Sequence, residues 1–269
     1  MMSFSFDHDL HIHSNISTCS RDPGQTSERI LRYAVENGLD TICLTDHFWD
    51  EAVPGPSTWY EKQNYPWISQ ALPLPQAEGV RFLFGCETEL RKDLTLGLSR
   101  EKADLFDFIV IPTTHFHFKN FTVAEEDLAS PAHRAALWLK RLDAVLDMEL
   151  PFRKVGLAHL ICHLIARQDR PQLLETFRLL PEAELRRVFT RVAEKGAGVE
   201  LNADDFRLLE KEEEAVLLRP LRIARDCGCL FYFGSDAHTV EELAEAPVLA
   251  EKAIRLLELE ERHRFMLGG

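Results

Sequence analysis

The sequence predicts an α/β barrel built from seven βα units, and three observations carry that expectation. Short β-branched or aromatic runs alternate with longer amphipathic stretches, which is the rhythm of βα units and not of a sandwich. Nearly every short run leads into an imidazole or a carboxylate, as strands do at the C-terminal mouth of a parallel barrel. The length of 269 residues suits one such barrel, so residues 1–269 are read as a single domain.

The first strand is expected over Phe4–Asp9, leading into His11 and His13 of "DLHIHS". The helix Ser27–Asn37 opens at "SERIL" and closes at Gly38, a residue that can take the left-handed cap conformation without a Cβ clash. Strand two, Thr41–Thr45, runs to Asp46 and His47 in "LTDHF". From Trp49 to Gln76 the rhythm breaks into a proline-rich segment with three tryptophans, read as a loop or lid insertion (49–76) over the mouth. Strand three, Arg81–Glu87, ends in Glu87, and strand four, Phe108–Pro112, precedes His115 and His117 of "TTHFH". The helix Pro131–Asp147 sets Leu142, Val145 and Leu146 on one stripe. Strand five, Val155–Ala158, meets His159, with His163 four residues on. A helix over Pro181–Lys195 leads to strand six, Gly198–Leu201, which carries Glu200 and reaches Asn202. A helix over Glu212–Cys227 leads to strand seven, Leu230–Gly234, followed by Asp236 and His238 of "GSDAH". The helix Val240–Leu257 closes the pattern.

Composition limits the partners. The formal net charge of −13 argues against extended nucleic acid and anionic membrane, since both require a cationic face. It leaves room for bound cations, which reverse the field locally. The start "MMSFSFDHDL" has no basic, then apolar leader pattern, and charged residues interrupt every apolar run before membrane-spanning length. The six cysteines follow neither a disulfide nor a zinc-finger spacing, so a soluble, cytoplasmic chain with reduced thiols is expected.

A strand points residues i and i+2 the same way, so His11 and His13 can grip one ion together. Imidazole and carboxylate suit zinc, manganese or iron. Packing so many of them at one barrel mouth without a cation would leave buried charges and donors unpaired. His117 and His163 each trail a stronger candidate and stay open as ligands or neighbours, while His8, His133 and His263 are expected in solvent.

Taken in order, "HIHS", "TDH", "GCE", "TTHFH", "AHL", "ELN" and "GSDAH" resemble the PHP superfamily, named for its polymerase and histidinol phosphatase members, over essentially the whole chain. The resemblance implies a distorted (β/α)7 TIM-like barrel with two to three divalent ions (Zn, Mn or Fe) at the mouth. By the same resemblance, His11, His13, Glu87 and Asp236 would hold the first ion. Glu87 would bridge to a second, bound by His115 and His159, and His47 and His238 would belong to a third. Members with three metals place a His or Asp five or six residues beyond the HxH pair, where this chain has Thr18 and Cys19. Cys19 or Asp22 would then supply the missing ligand, and the third site is expected to be the weakest.

The implied reaction is hydrolysis of a small-molecule phosphate monoester by a metal-bridging hydroxide. Glu87 would bridge the ions, and Asp46 would orient a ligand or relay a proton. Arg91, Lys119, Arg167 and Arg207 are the candidate clamps on a small phosphorylated substrate. Two alternatives stand beside this reading. One is a phosphodiesterase or exonuclease acting on nucleotides or short oligonucleotides, whose bases would stack on the lid tryptophans. The other is an inactive, metal-stabilised binding module.

Overall fold

The computed structural model describes residues 4–167 and 169–267. Nine strands alternate with helices among them: β1 His8–Ile12, β2 Thr41–Leu44, β3 His47–Phe48, β4 Arg81–Phe84, β5 Cys86–Thr88, β6 Ile109–Pro112, β7 Val155–Ala158, β8 Gly198–Asn202 and β9 Leu230–Gly234. Every pairing between them is parallel, in the orders β1-β2-β4 and β3-β5-β6-β7-β8-β9. β2 and β3 are successive halves of one strand position, as are β4 and β5, so the nine segments occupy seven positions. The first and last positions meet where Ile12 bridges Ala237, with His13 N–H donating to Ala237 O at 3.1 Å and Asp236 N–H to His11 O at 2.7 Å.

The strand breaks have local causes. The expected strand Arg81–Glu87 divides at Gly85, where a Cβ would stand 2.5 Å from Phe108 O and 2.7 Å from Cys43 Sγ. Only glycine permits that approach. The first strand begins at His8 and not at Phe4, so His11 lies inside β1 and not beyond it. A register shift between Asp9 and Ile12 breaks the alternation there. Leu10 packs in the inner core while His11, its neighbour, reaches the site, an aim strict alternation would forbid.

The longer helices are α1 Ser27–Asn37, α2 Pro131–Asp147, α3 Arg170–Leu179, α4 Glu182–Lys195, α5 Arg219–Asp226 and α6 Val240–Leu256. Helix α3 has no counterpart among the sequence expectations, and the expected helix Glu212–Cys227 is broken at Leu218. Pro220 explains the break, because a residue without an N–H sits in the first turn of a helix and not inside one. The helices bury apolar stripes such as Leu142, Val145 and Leu146 of α2 against the outside of the strands. Inside, Leu10, Cys43, Phe108, Val110, Ala158 and Tyr232 fill the barrel floor. Tyr232 fits because Gly156 and Gly198 lack a Cβ, which would fall 2.4 Å and 2.8 Å from it.

The segment 49–76 forms turns and a short helix, Tyr65–Ile68, and packs beside the loop after β1: Trp67 Nε1 donates to Ile16 O at 3.0 Å, and Thr18 N donates to Gln63 Oε1 at 3.3 Å. Among the described residues no helix is long and apolar enough to cross a membrane.

Candidate metal centre

The strand ends bring the buried side chains of His11, His13, His47, Glu87, His115 and His159 and the partly exposed Asp236 and His238 together at one mouth of the barrel. Glu87 sits at the middle. Its Oε2 lies 2.9 Å from His47 Nδ1, 3.3 Å from His13 Nε2 and 3.6 Å from His11 Nε2. Its Oε1 faces the other way, 3.6 Å from His159 Nε2 and 4.0 Å from His115 Nε2. Asp236 is divided similarly, with Oδ1 at 3.2 Å from His13 Nε2 and Oδ2 at 3.5 Å from His159 Nε2.

These spacings fit a cation. Donors bound tetrahedrally at about 2.0–2.1 Å from one ion stand about 3.3 Å apart. His11, His13 and Asp236 form one such group, and His11, Glu87 and His159 a second. Glu87 Oε1 and His13 Nδ1 are buried without a hydrogen-bond partner, which is costly unless something else is bound there. Burial alone would raise both carboxyls, yet the charges of His47 and His11 hold Glu87, and those of His11 and His159 hold Asp236, well below the usual carboxylate range. Both carboxylates are therefore charged at neutral pH, as ligands must be.

Behind these side chains stand partners that fix the tautomers. His11 Nδ1 donates to Glu200 Oε1 at 2.6 Å, and His115 Nδ1 donates to Glu89 Oε2 at 2.7 Å, so each ring turns Nε2 toward the centre. Glu200 also accepts the His159 N–H at 3.0 Å, and Glu89 lies 3.9 Å from the fully buried Arg141. Arg141 donates to the carbonyls of Thr113, Thr122 and Leu90 at 2.6, 2.6 and 2.8 Å, tying β5 and β6 ends to α2. Glu89 and Arg141 went unnoticed in the sequence. A period-2 reading of "CETEL" would have aligned Glu89 with Glu87.

The backbone is strained at two of the strand ends. His159 and Asp236 have φ of 60° and 53°, a region L-residues enter at a cost of about 1–2 kcal/mol. Each follows a strand terminus, and their side chains meet at the mouth, His159 Nε2 lying 3.5 Å from Asp236 Oδ2.

The remaining sequence candidates divide. Asp46 accepts from Ser14 N at 2.7 Å and Ser14 Oγ at 2.6 Å and lies 3.8 Å from His13 Nδ1, so it faces His13 across the mouth. Cys19 joins His13, His47 and His238 in a third donor group. Asp22 does not reach the centre: its carboxylate accepts from Gly24 N at 2.7 Å and Val240 N at 3.0 Å, which pins the loop to α6. Arg91 is held by Pro54 O and Asp93, and Arg207 by Asp204 and Glu245, so both guanidiniums are already paired. Lys119 and Arg167 are exposed; burial, then the His115 charge at His117 and the His159 charge at His163, and then the Arg167 charge disfavour protonation of both rings. His133 is exposed as expected, but His8 and His263 are buried. His8 accepts the Phe233 N–H at 3.1 Å because the strand it opens pairs beside β9, and His263 accepts the Glu260 N–H at 3.0 Å in a tight turn. Of the segment's tryptophans, Trp49 is buried with its Nε1 on Val53 O, so it offers no face for a stacked base. Trp59 lies edge-on to His47, ring centres 4.8 Å apart.

By sequence the chain matches no protein-family model and no curated protein. By structure it superposes on the histidinol phosphate phosphatase of Lactococcus lactis, solved with zinc, L-histidinol and phosphate, with TM-score 0.63 and 19% identity over 92% of this chain and 93% of that one. The chain has the fold of this phosphatase. A candidate histidinol phosphatase of Listeria monocytogenes gives a TM-score of 0.61 at 13% identity, covering 87% and 96% of the two chains. A parallel barrel of this kind accounts for the seven strand positions and for the single mouth onto which their ends open.

Proposed function

We propose that this chain is a metal-dependent phosphoesterase that hydrolyses the phosphate monoester of a small molecule. The observation that carries the reading is the division of Glu87, one oxygen toward His11, His13 and His47 and the other toward His115 and His159. A carboxylate so placed suits two neighbouring cations, and zinc, manganese or iron match the donors. When bound, the ions supply an activated water and neutralise charge on the phosphoryl oxygens.

The protein's own contribution is orientation. Glu200 and Glu89 hold His11 and His115 with Nε2 inward, and Asp236 spans both donor groups. Asp46, beside His13 and anchored by Ser14, orients that ring or relays a proton. Lys119 and Arg167, both exposed, are the candidate clamps for the outer phosphate oxygens. The small substrate is favoured over an oligonucleotide by the charge of −13, and buried Trp49 offers no face to a base, while Trp59 stays half-buried and Trp67 exposed. The free cysteines suit a reducing, cytoplasmic setting.

The test combines elemental analysis of purified protein with turnover of p-nitrophenyl phosphate and bis-p-nitrophenyl phosphate. At least two transition-metal ions per chain and preference for the monoester are expected. Preference for the diester would move the assignment to a phosphodiesterase, and metal binding without turnover of either would leave a binding module.

A further inference from the structure

The insertion 49–76 reaches the metal centre at His47. Tyr60, only 1% exposed, sets its hydroxyl 3.3 Å from His47 Nδ1, with the two rings at 89° and their centres 5.9 Å apart. Trp59 meets the same imidazole edge-on, and His13 stacks on it with centres 4.6 Å apart. From behind, Tyr60 packs on Trp49 and Phe121, centres 5.8 and 5.7 Å away, and Trp59 packs on Phe118 at 5.7 Å.

His47 is oriented unlike its neighbours. His11, His115 and His238 each donate from Nδ1, to Glu200, to Glu89 and to the Asp236 carbonyl, which leaves Nε2 as the free nitrogen. In His47 the order is reversed: Nδ1 faces inward, 2.9 Å from Glu87 Oε2, and no hydrogen bond holds Nε2 among the described residues. Its rotation is set by His13 on one side and by one hydroxyl and two aromatic rings, all three from the insertion. A half-turn of the imidazole would set Cδ2–H against the Tyr60 and Glu87 oxygens and forfeit both polar contacts.

We propose that Tyr60 and Trp59 are positioning residues for the reaction: through them the insertion fixes the His47 imidazole with Nδ1 toward the cation, the opposite nitrogen to the one His11 and His115 present. The inference rests on the phosphoesterase reading above and deepens it, since the insertion then serves as a fixed wall of the centre. A lone pair serves an ion only when aimed at it, and partners that aim a ligand are worth about 10–100-fold in metal affinity or activity.

Nitrogen-15 spectra of the zinc-loaded full-length protein, labelled at histidine, test this on the unmutated chain, because a ligating ring nitrogen and a protonated one differ in shift. The His47 signals are those lost in His47→Gln. The expected result is His47 bound through Nδ1 with Nε2 protonated, and His11 and His115 the other way round. Tyr60→Phe deletes only the hydroxyl. It should lower both zinc affinity, read by competition with a chelator, and kcat for p-nitrophenyl phosphate by about 10–100-fold, with KM little changed. Trp59→Phe, which keeps an aromatic edge, should retain more of both than Trp59→Ala. His47 bound through Nε2 overturns the inference, as does a Tyr60→Phe variant that loses melting temperature alone and keeps its zinc affinity and kcat. The expected spectra and zinc affinities without turnover of any phosphate ester would overturn the phosphoesterase reading and leave the aiming of His47 by the insertion standing.

Discussion

Glu87 and Glu200 are both buried carboxylates within reach of His11, yet they stand in different positions relative to the centre. Glu200 accepts a hydrogen bond from the far side of the imidazole, while Glu87 faces the inner nitrogens of five rings with the two oxygens split between them. Glu87→Gln removes a carboxylate charge that faces both sets of histidines. Its kcat/KM for p-nitrophenyl phosphate should fall by more than the about 10–100-fold typical of an outer partner. His117→Ala and His163→Ala should lose far less, since neither side chain belongs to a donor group. Equal losses across the three variants in steady-state assays would mean that the bridge is misassigned. Residue types made the histidines and Glu87 conspicuous in the sequence. The partners Glu89, Arg141 and Ser14 were not, because a buried ion pair or hydroxyl looks in sequence like any surface residue.

At the scale of elements, the ends of strands and helices do most of the aiming. Helix α6 starts with a reciprocal cap in which Thr239 Oγ1 accepts from Glu242 N at 3.2 Å and Glu242 Oε2 accepts from Thr239 N at 3.1 Å. The same Glu242 oxygen accepts the His238 N–H at 2.6 Å, so the cap also positions a candidate ligand. Thr239→Ala should cost about 1 kcal/mol, read as a lower urea midpoint, and should weaken the last metal equivalent to bind. An unchanged midpoint would show that the cap is not stabilising. Boundaries of α1, α2, β7 and β9 agree with periodicity and capping residues because those signals are local. The register shift in β1 and the break at Gly85 are not legible in the sequence because each involves a neighbour distant in sequence, β2 for one and Phe108 for the other.

For the whole molecule, the mouth concentrates charge that the fold alone does not neutralise. Burial opposes protonation of His13, but hydrogen bonds to Asp236 and Glu87 raise it to about 9. His159 is likewise raised to about 9, against burial, by the Asp236 charge and its bond to Glu87. Both values lie above the ordinary 6.5, so both rings are protonated at pH 7 in the metal-free chain. The stability they contribute is fully present below pH 6.5 and is lost as pH rises through about 9. The charges of Asp236 and Glu200 likewise hold His11, against burial, well above the ordinary imidazole range. Metal must therefore displace three protons, so affinity should climb with pH through about 9, and calorimetric titration in two buffers should show about three protons released per loaded centre. Buffer-independent heats would contradict the titration state argued here. Chelation should abolish hydrolysis and lower the melting temperature together, since an ion held at a hundred times its Kd stabilises the native state by about 2.7 kcal/mol. A metal-free protein with an unshifted melting curve would count against the centre.

The sequence by itself determined the alternation of βα units, seven strand positions and the chemistry waiting at their ends. It could do so because periodicity, caps and residue type act over a few neighbouring residues. Tertiary structure alone decided which side chains meet. It pinned Asp22 to α6 and paired Arg91 and Arg207 with carboxylates, and it buried His8 and Trp49. It also brought Cys19 to His47 and His238 across separations of 28 and 219 residues in the chain. A barrel mouth is assembled from every strand at once, so the distances that define its chemistry exist only after the ring has formed.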